Sequence, residues 1–150
     1  MILNRQREVR IARRPLELFL RRLKRELGLT KSDLTVCLVN DREMARMNQK
    51  FRKKKGSTDV LSFPVATRRK PTGGSRGRAA QEFPRYLGDI AISPATARRY
   101  AQKKAHTLGS ELSVLTLHGV LHLLGYDHEA DRGEMDRVER KLRKRLGILG

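Results

Sequence analysis

Residues 110–128 read SELSVLTLHGVLHLLGYDH, and this stretch decides the architecture. Val114, Leu115, Leu117, Val120, Leu121, Leu123 and Leu124 cover nearly every side of one helix. A helix that is apolar all round belongs inside the molecule rather than on its surface. Gly125 follows the last apolar position, and glycine accepts the left-handed backbone that ends a helix. His118 and His122 are four residues apart, which places them on one face with about 5–6 Å between Cβ atoms. Buried imidazoles need polar partners, and one metal ion would serve both. Beyond Gly125 the chain can turn back and deliver His128 to the same ion. Three neutral imidazoles leave a fourth position for water, the pattern of a catalytic zinc site, and such water ionises near neutrality. Iron, nickel or copper would also accept these ligands.

Outward from this helix, Asp131 and Glu134 form a capping-box pattern for a last helix with Met135, Val138, Leu142 and Leu146 inward. Met135 follows His128 by seven residues, but its place on that periodic face marks it as core. On the N-terminal side, residues 86–92 (YLGDIAI) predict a strand, and Ser93-Pro94 caps and opens a helix. His106 sits at that helix's end, suited to a dipole contact or to solvent. Residues 60–63 (VLSF) predict a strand closed by Pro64. Asn40 and Glu43 form a capping box for a helix with Met44, Met47 and Phe51 inward, after a strand over 34–39. Pro15 opens a helix with Leu16, Phe19, Leu20, Leu23 and Leu27 on one face, ended by Gly28. Alternation over residues 8–11 predicts a short first strand. The order β-α-β-α-β-β-α-α-α predicts an α+β fold, a small mixed sheet with helices packed on it. A chain of 150 residues points to a single domain over 1–150. Residues 65–85, which contain TRRKPTGGSRGR, have no periodicity and predict a mobile basic loop.

The formal net charge of +18, from 34 basic and 16 acidic residues, implies a polyanionic partner. No apolar run approaches the roughly 20 residues that span a bilayer, so no membrane partner is expected. The first residues, MILNRQREVRIARR, carry no signal-peptide core, and Cys37 alone can form no intramolecular disulfide. A cytoplasmic location is the expectation. Arg52, Lys53, Lys54 and Lys55 flank the 60–63 strand, and Arg68 and Arg69 lie in the basic loop, all suited to phosphates. Tryptophan is absent, which leaves Tyr86, Tyr100 and Tyr126 as possible base-stacking residues, each also suited to core or rim. Asp127 is placed to accept a proton or to orient a neighbouring imidazole, and Asp89 to support a strand end or a ligand.

The spacing H-x-x-x-H-x-x-G-x-x-H is similar to the zinc helix of the metzincin proteases. Those enzymes carry a glutamate directly after the first histidine as general base, and here Gly119 stands in its place. A longer match is to the YbeY family, bacterial rRNA maturation factors and single-strand-specific metallo-endoribonucleases. Three blocks carry it: TDVLSFP at 58–64, LGDI at 87–90 and HGVLHLLGYDH at 118–128. The resemblance runs from about residue 34 to the C-terminus, with the 65–85 loop as its variable part. It implies a zincin-like fold, one Zn2+ at His118, His122 and His128, and no small-molecule cofactor. It further implies cleavage near the 3′ end of 16S rRNA on the small ribosomal subunit, and a part in ribosome quality control. An arginine six residues before the block's threonine is tied to activity in the family, and that position is Arg52 here. Two other readings compete with a ribonuclease. One is a zincin-type metallopeptidase or amidase, which Gly119 disfavours. The other is a non-catalytic RNA-binding assembly factor with structural zinc, which an open fourth ligand position disfavours.

Overall fold

The computed structural model describes residues 1–65, 83–127 and 130–148. Along these residues run β1 (Ile2–Asn4), α1 (Arg13–Glu26), β2 (Asp33–Leu38), α2 (Asp41–Arg52), β3 (Val60–Pro64), β4 (Tyr86–Ile92), α3 (Pro94–Lys103), α4 (Leu108–Leu123) and α5 (Glu134–Leu146). The predicted ligand His128, and Arg68 and Arg69 with most of the predicted loop, lie outside the described residues.

The helix that opened the sequence reading is the centre of the molecule. The Thr107 hydroxyl caps α4 by accepting the Ser110 amide at 3.0 Å. Leu117, Val120 and Leu121 are fully buried, and α4 touches α1, α3, α5, β3 and β4. The sheet order is β1-β2-β4-β3. β1, β2 and β4 run parallel, while β3 pairs antiparallel with β4 at the edge. The sheet is therefore mixed, as the element order predicts. One face carries the main core, in which Val36, Leu38, Ile90 and Ile92 meet α1, α4 and α5. On the other face α2 covers only a small second core of Val39, Met44, Leu61 and Ala91.

Several local expectations are corrected. Residues 8–11 form no strand; the first strand is Ile2–Asn4, whose pairing with Val36–Leu38 supplies the partner that a short segment needs. Phe51 does not point inward but is 57% exposed at the last turn of α2, because the second core ends at Met47 and Phe63. Asp131 does cap α5, but from two residues before the Gly133 cap position, by accepting the Gly133 and Met135 amides. Phe83 packs against the main core, and the Pro84 and Arg85 carbonyls accept from Ser32 Oγ (2.8 Å) and the Asp33 amide (2.6 Å).

β4 carries the geometry behind LGDI. Asp33 and Thr35, two apart on β2, face Tyr86 and Asp89, three apart on β4, so β4 has one extra residue at a bulge. The bulge brings Tyr86 and Asp89 to the same face, where the Tyr86 hydroxyl donates to Asp89 Oδ1 and also meets Thr35 Oγ1. Asp89 thus supports a strand on the face away from α4, and it does not reach the histidines. Of the three tyrosines, Tyr86 and Tyr100 are exposed and Tyr126 packs against the core.

Asp41, the first residue of α2, ties the loop before β3 to the start of α3. Its Oδ1 accepts from Ser57 Oγ (3.1 Å), Ser93 Oγ (2.5 Å) and Thr96 Oγ1 (2.7 Å), and its Oδ2 from Arg99 Nη2 (3.0 Å). Partial burial pushes this carboxyl up, but the four hydrogen bonds outweigh it and hold the pKa down to about 2, against an ordinary 3.8. A depressed carboxyl pKa adds stability that is complete above the unfolded value and drains away as pH falls toward the folded one. Urea unfolding of Asp41→Asn should therefore show a deficit of about 2 kcal/mol at pH 6, shrinking toward zero by about pH 2. A deficit that stays constant over that range would show that the charge contributes nothing.

Candidate metal centre and cleft

The i, i+4 spacing works as expected from geometry alone. His118 and His122 project from α4 with ring centroids 4.6 Å apart in an edge-to-face arrangement, and their Nε2 atoms are 3.0 Å apart. On its other side, His118 Nδ1 lies 3.1 Å from Glu139 Oε1 on α5. An ionised carboxylate only accepts, so Nδ1–H is the donor to Glu139, and Nε2 is the nitrogen turned toward His122. A carboxylate behind a metal-binding imidazole fixes its tautomer and aim in this way. Two imidazole nitrogens at ~2.0–2.1 Å from one tetrahedral ion would lie roughly 3.3 Å apart, so the observed pair suits a zinc-sized cation. Among the described residues no group of three or more His, Cys, Asp or Glu donors comes together, the third predicted ligand being outside them.

These two rings open into a cleft of about 770 Å³. The cleft is also lined by β3, through Ser62 and Phe63, by Asp59 just before it, by Arg52 at the end of α2 and by Asp127. The cleft thus brings together four residues singled out from sequence: His118, His122, Arg52 and Asp127. Arg52 is exposed and pairs with no acid among the described residues. Lys53, Lys54 and Lys55 are exposed but do not line the cleft, and Lys53 is the left-handed C-cap of α2.

Gly119 gains a packing reason. A Cβ there would sit 2.8 Å from Ile90 Cγ2 and 2.9 Å from its Cδ1, and Ser62 Oγ donates to the Gly119 carbonyl at 3.2 Å. Position 119 is pressed against β3 and β4, and a glutamate side chain would have to enter the space held by fully buried Ile90. The protease base is therefore not merely missing; its place is filled by the sheet.

Two site residues escaped the sequence reading. Glu139 is only 15% exposed, and it lies on the α5 face that also carries Met135 and Leu142. A lone carboxylate on an otherwise apolar stripe was the available signal. Asp59 sits inside the 58–64 block and adds a second carboxylate to the cleft.

No described helix is long and apolar enough to cross a membrane. The family model described as "Endoribonuclease YbeY" matches residues 1–147. A Solibacter usitatus protein named Endoribonuclease YbeY is 44% identical over 137 residues, covering 91% of this chain and 81% of its own length. A Koribacter versatilis protein of the same name is 38% identical over 148 residues, covering 99% and 86%. The solution structure of TM1509 from Thermotoga maritima superposes with a TM-score of 0.62 at 26% identity, over 97% of this chain and 89% of that one. With the match extending from the first strand to the end of α5, the chain belongs to the YbeY endoribonuclease family.

Proposed function

We propose that this chain is a zinc-dependent, zincin-like endoribonuclease that cuts single-stranded RNA. Its place would be 3′-end maturation of 16S rRNA on the small ribosomal subunit, and ribosome quality control, in the cytoplasm. The observation that carries the reading is the cleft lined both by two converged imidazoles and by Arg52, which pairs with no acid among the described residues. The names of the relatives and the charge of +18 support an RNA substrate.

His118, His122 and His128 would hold the ion, with Glu139 fixing the aim of His118. When bound, zinc polarises a phosphoryl oxygen and lowers the pKa of coordinated water toward about 7. Arg52 grips the scissile phosphate through paired N–H groups and stabilises charge that builds on its oxygens during the reaction. Asp59 and Asp127, the carboxylates among the described residues that line the cleft, are the candidates to take the proton of the attacking hydroxyl.

The test compares wild type with Arg52→Ala on single-stranded RNA, duplex RNA and a casein peptide. Arg52→Ala should keep its metal content and melting temperature and lose about 10²–10³-fold in single-strand cleavage, the usual effect of removing one charge-stabilising group. Undiminished cleavage by Arg52→Ala would remove the arginine from the mechanism. Metal-dependent casein cleavage would favour a peptidase, and RNA binding without any cutting would favour an assembly factor.

A further inference from the structure

The open face of the sheet, beyond the end of α2, joins the cleft through two phenylalanines. Phe51 lines the cleft, a 450 Å³ hollow over the sheet face and a 360 Å³ hollow beside α2; Phe63 lines the first two. The two rings meet edge to face with centroids 5.2 Å apart, and Phe51 is 57% exposed. Burying so large an apolar ring would be favourable, so its exposure at the mouth of a cleft marks a contact surface. Cations follow the same track. Lys50 Nζ lies 5.4 Å from the Phe51 ring centre, and Arg46 and Arg5 line the hollows beyond. The acids there are Glu43 and Asp89, and Asp89 already accepts from Tyr86. An exposed aromatic step beside the site, continued by cations that line the adjoining hollows, fits a single strand: bases stack on the rings while phosphates track the cations.

We infer that nucleotides adjoining the scissile phosphate leave the cleft over Phe51 and Phe63, where unpaired bases stack, and that Lys50, Arg46 and Arg5 hold the phosphates beyond. The inference rests on RNA being the substrate. It gives single-strand selectivity a physical source, because a base held in a duplex has no free face for the Phe51 ring.

The test is equilibrium binding, by fluorescence anisotropy, of the full chain to a labelled oligoadenylate of about 12 nucleotides and to an abasic strand of equal length and charge. Phe51→Leu should bind the oligoadenylate roughly 10-fold or more weakly and the abasic strand as wild type does, whereas Phe51→Trp should retain binding to both. Lys50→Glu should weaken both strands alike. Melting temperatures guard against misfolding, which the exposure of Phe51 makes a small risk. Equal binding by Phe51→Leu and wild type, or equal losses on the two strands, would overturn the stacking step. Cleavage is scored separately. Phe51-dependent binding without cleavage would sink the nuclease reading alone, and wild type that binds neither strand would sink both.

Discussion

A His122→Ala chain will fold and yet fail to gain stability from zinc. In the wild type, zinc should raise the melting temperature in proportion to the logarithm of its concentration, since it binds the folded state. His122 shares its Nε2–Nε2 contact with His118, so truncating it leaves a single described imidazole on α4 facing the cleft. RNA cleavage should fall by about 10³-fold or more. A metal supplies several kcal/mol of charge stabilisation, and about 4 kcal/mol at 1.36 kcal/mol per tenfold gives that factor. Glu139→Gln provides the graded comparison. It keeps the shape behind His118 but loses the carboxylate, and metal affinity should drop by about 10–100-fold. Metal analysis and melting curves with and without zinc read both variants independently of turnover. If His122→Ala binds zinc as the wild type does, the metal is elsewhere and the proposed centre is wrong.

Gly88→Ala should be the most destabilising single methyl that the sheet can receive. Gly88 has φ +141°, and its new Cβ would run into the Phe63 carbonyl oxygen, 2.9 Å from Pro64 Cα and 3.0 Å from Leu123 Cδ2. Two of these neighbours are backbone atoms of the paired edge strand and cannot swing aside as a side-chain end could. Strained backbone and overpacking together should cost roughly 3–5 kcal/mol, lowering the melting temperature by roughly 10 °C or more. Since β3 forms one wall of the cleft, cleavage should fall further than the folded fraction alone accounts for. A melting temperature within about 2 °C of wild type would mean that the bulge relaxes freely.

The sequence was most legible where the determining forces act within four residues. Asn40 caps α2 by accepting the Glu43 amide at 2.8 Å, Ser93 caps α3, and Gly125 takes φ +100° after α4, each as its residue type dictates. The all-round apolar helix became the central one because no other position would hide its sides. Two misses share one cause: alternation over 8–11 and periodicity through Phe51 describe which face a residue would take, not whether a partner surface exists there. β1 found its partner in β2 at residues 2–4, and the second core stopped short of Phe51.

By itself, then, the sequence determined the helix that sits at the centre, the shared face of His118 and His122, the caps and the basic character that calls for a polyanion. Spacing and residue type are local quantities, and helix geometry converts them directly into position. Only the tertiary structure decided that Glu139 stands behind His118, that Arg52 lines the same cleft, and that Ile90 fills the space beside Gly119. It alone turned Phe51 outward next to Phe63. These relations join residues distant along the chain, and they are set by how sheet and helices pack, which no local pattern encodes.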